Sequence, residues 1–182
     1  ALLAMPRQAM IEADLARQLE LYRGLLADLP YGPDVSGPAL DGPAMIRHGE
    51  AAGLVERRPH PLGDVLRMSE DNAILMTYFR NNVIHLFAMP SLVACAFLNN
   101  AQMRTEDIQR LAWRIYPYAR QELFLRWDEP AVPGVVEAVL AALERNGLLE
   151  RSADGTSWRR PPTGSAEAVQ LSVLAQATVQ MI

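Results

Sequence analysis

Apolar residues recur at steps of three and four along most of the chain, the spacing that places them on one face of an α-helix. In the first such segment Ile11, Leu15, Leu19 and Tyr22 follow this spacing. The pattern predicts helices over residues 9–29, 43–52, 69–89, 92–98, 105–127, 133–146 and from 165 onward. We expect interruptions where proline removes a backbone donor, at Pro90 and Pro117. Asp41, Thr105 and Ser165 stand before predicted helices and are expected to cap them.

Two shorter segments have the signals of β-hairpins instead. Residues 54–57 and 64–68 flank a turn at His60–Gly63, and residues 148–151 and 157–160 flank Asp154–Gly155. An Asp-Gly pair between two extended runs is a strong hairpin signal. The expected fold class is therefore mainly α, a helical domain with one or two short β-hairpin wings.

The two hairpins begin with similar sequences. Glu50–Arg57 reads EAAGLVER and Glu144–Arg151 reads ERNGLLER, so that in both a helix ends at glycine before a strand. The repeated octapeptide suggests an internal duplication. The order of helix, hairpin and helix in each copy resembles a winged helix. The same punctuation also arises for local reasons alone, so both interpretations stay open.

The length favours one domain, residues 1–182, with residues 1–100 and 101–182 as alternative sub-units. The chain starts in mid-pattern without Met, and its last helix stops at Met181–Ile182 without a cap or polar tail. We expect it to be a fragment of a longer protein.

The most apolar stretch, residues 78–98, contains a group of polar residues: Arg80, Asn81, Asn82 and His85. Asn81 and His85 are four apart and would share a helix face, with Asn82 close by. Such donors suit a phosphate, a carbonyl or a partner domain. The alternative interpretation is structural, with these side chains tying loops and helix ends to the core.

A second polar and aromatic stretch covers residues 116–128. Here Arg126 precedes Trp127 and Asp128, which suggests an ion pair formed over an aromatic ring. We expect a structural use for Arg126 more than a ligand site.

Composition narrows the function classes. The net charge is −4, which argues against a nucleic-acid partner, because such a partner would require a basic stripe. All 17 basic residues are arginine, and Cys95, the single cysteine, excludes an internal disulfide. The histidines lack metal-ligand spacing, and no glycine-rich phosphate loop or nucleophile elbow occurs. We therefore expect no metal and no cofactor, and the residues alone support no catalytic site.

Residues 83–98 are the best candidate for membrane contact. His85 and Pro90 interrupt them, and they fall short of the roughly 20 residues that a span requires. A buried helix pair is the first interpretation and peripheral contact with a membrane surface is the second.

Several blocks carry a resemblance to one family. They read YFRNNVIHLFAMPSLVA at residues 78–94, IYP at 115–117, ELFLRWD at 122–128, PGVV at 133–136 and HPLGDV at 60–65. The sequence resembles the C-terminal region of the bacterial membrane-bound glycerol-3-phosphate acyltransferases, over essentially the whole chain.

The resemblance implies a parent enzyme of phospholipid synthesis. Such an enzyme transfers an acyl group from acyl-CoA or acyl-carrier protein to the sn-1 hydroxyl of glycerol 3-phosphate, at the cytoplasmic face of the bacterial inner membrane. The acyl donor is a co-substrate, and the family's chemistry rests on a His-x4-Asp motif.

This chain lacks that motif. His48, His60 and His85 are followed five positions later by Gly53, Val65 and Pro90. The resemblance therefore implies a structural or regulatory segment, inactive alone, whose partner is an upstream catalytic domain of the same chain. The alternative is a free-standing helical module with winged-helix-like wings and no catalysis.

Overall fold

The structure is a computed structural model that describes residues 1–179, with side chains to residue 177. Its helices are α1 Glu12–Asp28, α2 Gly42–Ala51, α3 Glu70–Val83, α4 Ala88–Cys95, α5 Thr105–Leu123, α6 Val132–Arg145 and α7 Ala166–Val179. Its strands are β1 Ala9–Ile11, β2 Glu56–Arg58, β3 Val65–Arg67, β4 Gln102–Arg104, β5 Glu150–Arg151 and β6 Ser157–Arg159. The predicted fold class, mainly α with short β-hairpin wings, is confirmed.

The strands form two small antiparallel sheets with the same order. The first sheet runs β1-β3-β2 and the second runs β4-β6-β5. In the first, Arg67 lies opposite Ala9 and Glu56, and in the second, Arg159 lies opposite Gln102 and Glu150. Each hairpin thus gains a third strand from a segment far upstream, which local pattern did not predict.

The chain forms two compact units, residues 1–83 and 84–182. Within the described residues both units contain the order strand, two helices, hairpin, helix. The shared element order and strand order support the duplication interpretation of the sequence repeat. The alternative boundary after residue 100 stays a prediction, although contacts place residues 84–100 with the second unit.

The core of the first unit lies between α1, α2 and the sheet. Leu21, Leu25, Ile46 and Leu66 are buried there, and α1 packs against both α2 and β3. Gly42 permits the close approach of the two helices, because a Cβ at this position would lie 2.5 Å from the carbonyl oxygen of Ala16. Asp41 caps α2 as predicted, since its side chain accepts from the Ala44 N–H at 2.8 Å.

The core of the second unit is built around α4. This helix packs against α7, α6 and α5, and its residues 88–94 are all buried. The Ser91 hydroxyl donates to the Leu174 carbonyl at 2.8 Å, which satisfies a polar group inside the core. Ser165 accepts from the Ala168 N–H at 3.1 Å, so its predicted role as a cap of α7 is confirmed.

The interruption predicted at Pro90 occurs a few residues earlier, and the one predicted at Pro117 is absent. The break after α3 is a 3-10 turn at Ile84–Phe87, and Pro90 lies in the first turn of α4, where no intrahelical donor is needed. Pro117 lies inside α5, which continues to Leu123. One backbone hydrogen bond is lost there, and α5 nevertheless continues and packs against α6.

Two helix starts also differ from prediction. Residues 9–11 are a strand, so the first helix begins at Glu12. Thr105 does not cap α5, because its hydroxyl accepts from Trp158 Nε1 at 3.0 Å and fastens the helix to β6. Both differences arise from pairing with a hairpin more than 50 residues away.

Candidate functional site

Helix α3 presents an apolar surface outward. Five side chains are exposed, with exposed fractions of 74% for Ile74, 46% for Leu75, 67% for Tyr78, 51% for Phe79 and 48% for Val83. We call this set the α3 face. The Tyr78 and Phe79 rings meet edge to face at 5.8 Å. No residue of α3 is buried, although its residues 78–83 begin the most apolar stretch of the chain. A contiguous exposed apolar patch of this kind marks an interaction surface.

Polar bonds hold the N-terminal half of α3 in the first unit. The Asn72 side chain donates to the Gly53 carbonyl at 2.8 Å and to the Leu54 carbonyl at 3.3 Å. The turn Leu2–Ala4 also packs against this helix. The α3 face is therefore the outer side of an anchored helix.

The predicted polar cluster is divided in the structure. Arg80 Nη2 donates to Asn81 Oδ1 at 3.0 Å, and Asn81 and Asn82 are exposed at the C-terminal end of α3. His85 lies in the 3-10 turn, beyond the end of the helix, so it does not share a regular helix face with Asn81. Arg80, Asn81 and Asn82 thus border the α3 face in the first unit, and His85 belongs to the second unit.

Arg126 stacks on its neighbour, but the ion pair expected with Asp128 is formed by another arginine. The Arg126 guanidinium carbon lies 5.1 Å from the centre of the Trp127 ring. Asp128 instead accepts from Arg120 Nη2 at 2.8 Å. Arg120 lies in the last turn of α5. The hydroxyl of the buried Tyr116 donates to the Trp127 carbonyl at 2.8 Å.

Sequence reasoning missed a charged cluster at the first sheet. Arg57 pairs with Glu12 at 2.6 Å, with Glu50 at 2.8 Å and with Asp64 at 3.0 Å. Hydrogen bonding to these carboxylates raises the pKa of Arg57, and the bond from Arg57 lowers the pKa of Glu12. Glu50 and Arg57 are the first and last residues of the repeated octapeptide, and this repeat was the sequence feature that could have pointed to the cluster. The three carboxylates pair with the one guanidinium, so we interpret the cluster as a structural ion-pair network and not as a ligand site.

The described part of the chain contains no group of three or more His, Cys, Asp or Glu side chains that could hold a metal ion. Among residues 1–179, no helix combines the length and apolarity required to cross a bilayer.

Comparison with known proteins identifies relatives over the whole chain. The family model described as the glycerol-3-phosphate acyltransferase C-terminal region matches residues 1–182. The glycerol-3-phosphate acyltransferases of Pseudomonas paraeruginosa, Pseudomonas putida (strain GB-1) and Ectopseudomonas mendocina are 40%, 41% and 39% identical over 182 residues. These residues are all of this chain but 22% of each relative's length. No solved structure matches.

The match agrees with the resemblance carried by residues 78–94 and 122–128, and it runs through both compact units. A family model that covers every residue, with relatives near 40% identity, leaves no part of the chain outside the relationship. The chain therefore belongs to the family of glycerol-3-phosphate acyltransferase C-terminal regions.

Proposed function

We propose that this chain is the C-terminal accessory segment of a glycerol-3-phosphate acyltransferase. The upstream part of that polypeptide transfers an acyl group from acyl-CoA or acyl-carrier protein to the sn-1 hydroxyl of glycerol 3-phosphate. The family match over all 182 residues carries the proposal, because it joins this segment to relatives named for that activity. The segment itself has no His-x4-Asp motif and acts on catalysis through contact with the upstream domain.

The α3 face supports the choice of docking surface. Burial of its five exposed apolar side chains against a partner would be favourable. Arg80 and Asn81 at the end of α3 supply polar groups for the rim of such an interface. The turn at Leu2–Ala4 packs against α3. A polypeptide that precedes Ala1, as most of the relatives' length would, therefore enters beside this helix.

The same proposal places the enzyme at the cytoplasmic face of the bacterial inner membrane, where its lipid product is needed. The names of the relatives support this location, because glycerol 3-phosphate is a water-soluble acceptor and the acylated product carries an apolar chain. Peripheral contact between the segment and the membrane belongs to this proposal. Co-sedimentation of the longer polypeptide with anionic vesicles tests it, and an unbound polypeptide at low salt contradicts it.

The coding sequence upstream of Ala1 gives the first test. We expect an open reading frame that encodes a His-x4-Asp motif. The longer polypeptide should transfer a radiolabelled acyl group from acyl-CoA to glycerol 3-phosphate, and residues 1–182 alone should not. Transfer by residues 1–182 alone, or an in-frame stop codon directly upstream, contradicts the proposal.

The fold supports a second candidate, a free-standing interaction module without catalysis. The strand orders β1-β3-β2 and β4-β6-β5, each following two helices, match the winged-helix arrangement that the sequence suggested. Such units serve as docking modules as well as nucleic-acid readers. A stop codon upstream of Ala1 would favour this candidate, and a catalytic motif upstream would eliminate it.

A further inference from the structure

The two units differ in what precedes their first strand. In the second unit α4 comes before β4 and packs against α7. In the first unit, within the described part of the chain, only the short 3-10 turns Leu2–Ala4 and Pro6–Gln8 come before β1. The first unit therefore contains, among the described residues, no helix that corresponds to α4.

The helices that follow the two hairpins can be aligned by their caps. The Ser69 hydroxyl accepts from the Asn72 N–H at 3.3 Å, as Ser165 accepts from the Ala168 N–H at 3.1 Å. Each serine carbonyl also accepts from the N–H four residues further on. This alignment makes α3 the counterpart of α7 and pairs Leu75 with Leu171, Tyr78 with Leu174 and Phe79 with Ala175.

The paired positions differ sharply in burial. Leu171, Leu174 and Ala175 are 3%, 0% and 0% exposed, whereas their counterparts in the α3 face are 46%, 67% and 51% exposed. Helix α4 lies against this part of α7: the Ser91 hydroxyl donates to the Leu174 and Ala175 carbonyls at 2.8 and 3.2 Å, and Cys95 Sγ donates to the Ala175 carbonyl at 3.2 Å. The α3 face thus corresponds to the surface of α7 that α4 covers.

A second helix shows the same difference. Helix α4 also packs against α6, and the counterpart of α6 is α2, because Gly147 and Gly53 follow these helices in the repeated octapeptides. Three positions that are buried in α6 are not buried in α2: Val139, Ala142 and Leu143 against Met45, His48 and Gly49. The first unit is therefore less covered at the counterparts of both neighbours of α4.

The start of the chain fits the end of such a helix. The first strands begin at Ala9 and Gln102, which hold equivalent register positions in the two sheets. Counted back by the same distance from these strands, Leu2 corresponds to Cys95, the last residue of α4. Leu2 is buried, and its turn packs against α3. The counterpart of the rest of α4 therefore falls on residues ahead of Ala1.

We propose that an apolar helix directly upstream of Ala1 in the longer polypeptide packs on the α3 face, in the place that α4 has on α7, and completes the first unit. The proposal rests on the proposed function, which supplies the upstream polypeptide; this chain covers 22% of the relatives' length. The helix is apolar for the same reason as α4, whose residues 88–94 are all buried. The occupant of the α3 face is thus the preceding segment of the same polypeptide.

Disulfide scanning of the longer polypeptide tests the proposal. Phe79→Cys is combined with a single cysteine at each of about ten positions ahead of Ala1, nearly three helical turns, and disulfides are identified by mass spectrometry. We expect disulfides at positions three and four residues apart, because only one face of a helix comes within the roughly 7 Å Cα separation that a disulfide permits. Leu62→Cys is the matched control, since Leu62 is 80% exposed at a hairpin tip, and it should form at least about tenfold less disulfide.

Three outcomes overturn the proposal: no disulfide to Phe79→Cys, a yield equal to that of Leu62→Cys, or disulfides without helical spacing. Leu75→Cys repeats the scan if Phe79→Cys fails to fold, because its counterpart Leu171 is also buried. Acyl transfer by the same polypeptide before oxidation tests the proposed function separately. Transfer without disulfides overturns this inference alone, and disulfides without transfer overturn the proposed function alone.

Discussion

The Arg57 guanidinium pairs with one carboxylate from each of three segments of the first unit. Its partners are Glu12 at the start of α1, Glu50 near the end of α2 and Asp64 just before β3. The side chains are about one-third exposed, so each pair alone is weak, and their value lies in one guanidinium that fixes the mutual positions of helix and hairpin.

Glu12→Gln tests this cluster through pH. The bond from Arg57 lowers the pKa of Glu12 below its ordinary value of 4.5. The ionised carboxylate therefore stabilises the fold above the unfolded pKa, and that contribution disappears as the pH falls through the folded pKa. We expect a lower melting temperature for Glu12→Gln at pH 7. The difference from wild type should shrink as the pH falls below 4.5 and vanish below the lowered pKa of the folded state.

Asp14→Asn is the control, since Asp14 occupies the same helix turn and shares the helix-dipole interaction. A pH-independent difference for Glu12→Gln, or an equal effect of Asp14→Asn at pH 7, would show that the cluster contributes nothing specific.

At the scale of elements, local sequence signals predicted helix caps and a hairpin turn. Asp41, Ser165 and the Asp154–Gly155 turn act within a few residues, and each has its predicted role. Strands β1 and β4 were not predicted, because each has only three residues and depends on a partner hairpin distant in sequence. Residues 83–98 were expected to be buried, and α4 within them is core, whereas the exposure of α3 was not predicted.

The cap of α2 gives a prediction on this scale. Asp41→Ala removes the acceptor of the Ala44 N–H, so we expect a loss of about 1 kcal/mol in the free energy of unfolding. Chemical denaturation measures this loss. Asp34→Ala, in the preceding exposed loop, should change stability little, and an equal loss in both variants would contradict the capping role.

Gly42 and Gly134 give a second pair of variants. A Cβ at Gly42 would meet the Ala16 carbonyl oxygen at 2.5 Å, whereas nothing lies within 4 Å of a Cβ at Gly134 in α6. Gly42→Ala should therefore destabilise by about 1–3 kcal/mol, because α1 and α2 must move apart. Gly134→Ala should stabilise by up to about 1 kcal/mol through helix propensity. Equal unfolding midpoints in urea would exclude the close helix contact.

At the scale of the whole molecule, two units share one element order and differ in the groups they present. The first exposes the α3 face, and the second buries α4 in its core. The family and the wings could be predicted from sequence blocks and glycine signals. The α3 face could not be predicted, because exposure depends on how distant segments pack. Of the residues predicted as a site, Arg80, Asn81 and Asn82 lie at the C-terminal end of α3, and His85 and Arg126 belong to the second unit.

The central claim is that this segment supports acyl transfer by docking through the α3 face. The most direct measurement is the acyl-transfer rate of the longer polypeptide carrying Tyr78→Ser and Phe79→Ser, at matched soluble concentration. Leu62→Ser is the control, because Leu62 is 80% exposed at a hairpin tip outside the face. We predict at least a tenfold lower rate for the α3 variant, since loss of two aromatic anchors weakens docking by about 2 kcal/mol or more, and an unchanged rate for Leu62→Ser. Equal rates for wild type, the α3 variant and Leu62→Ser would contradict the account.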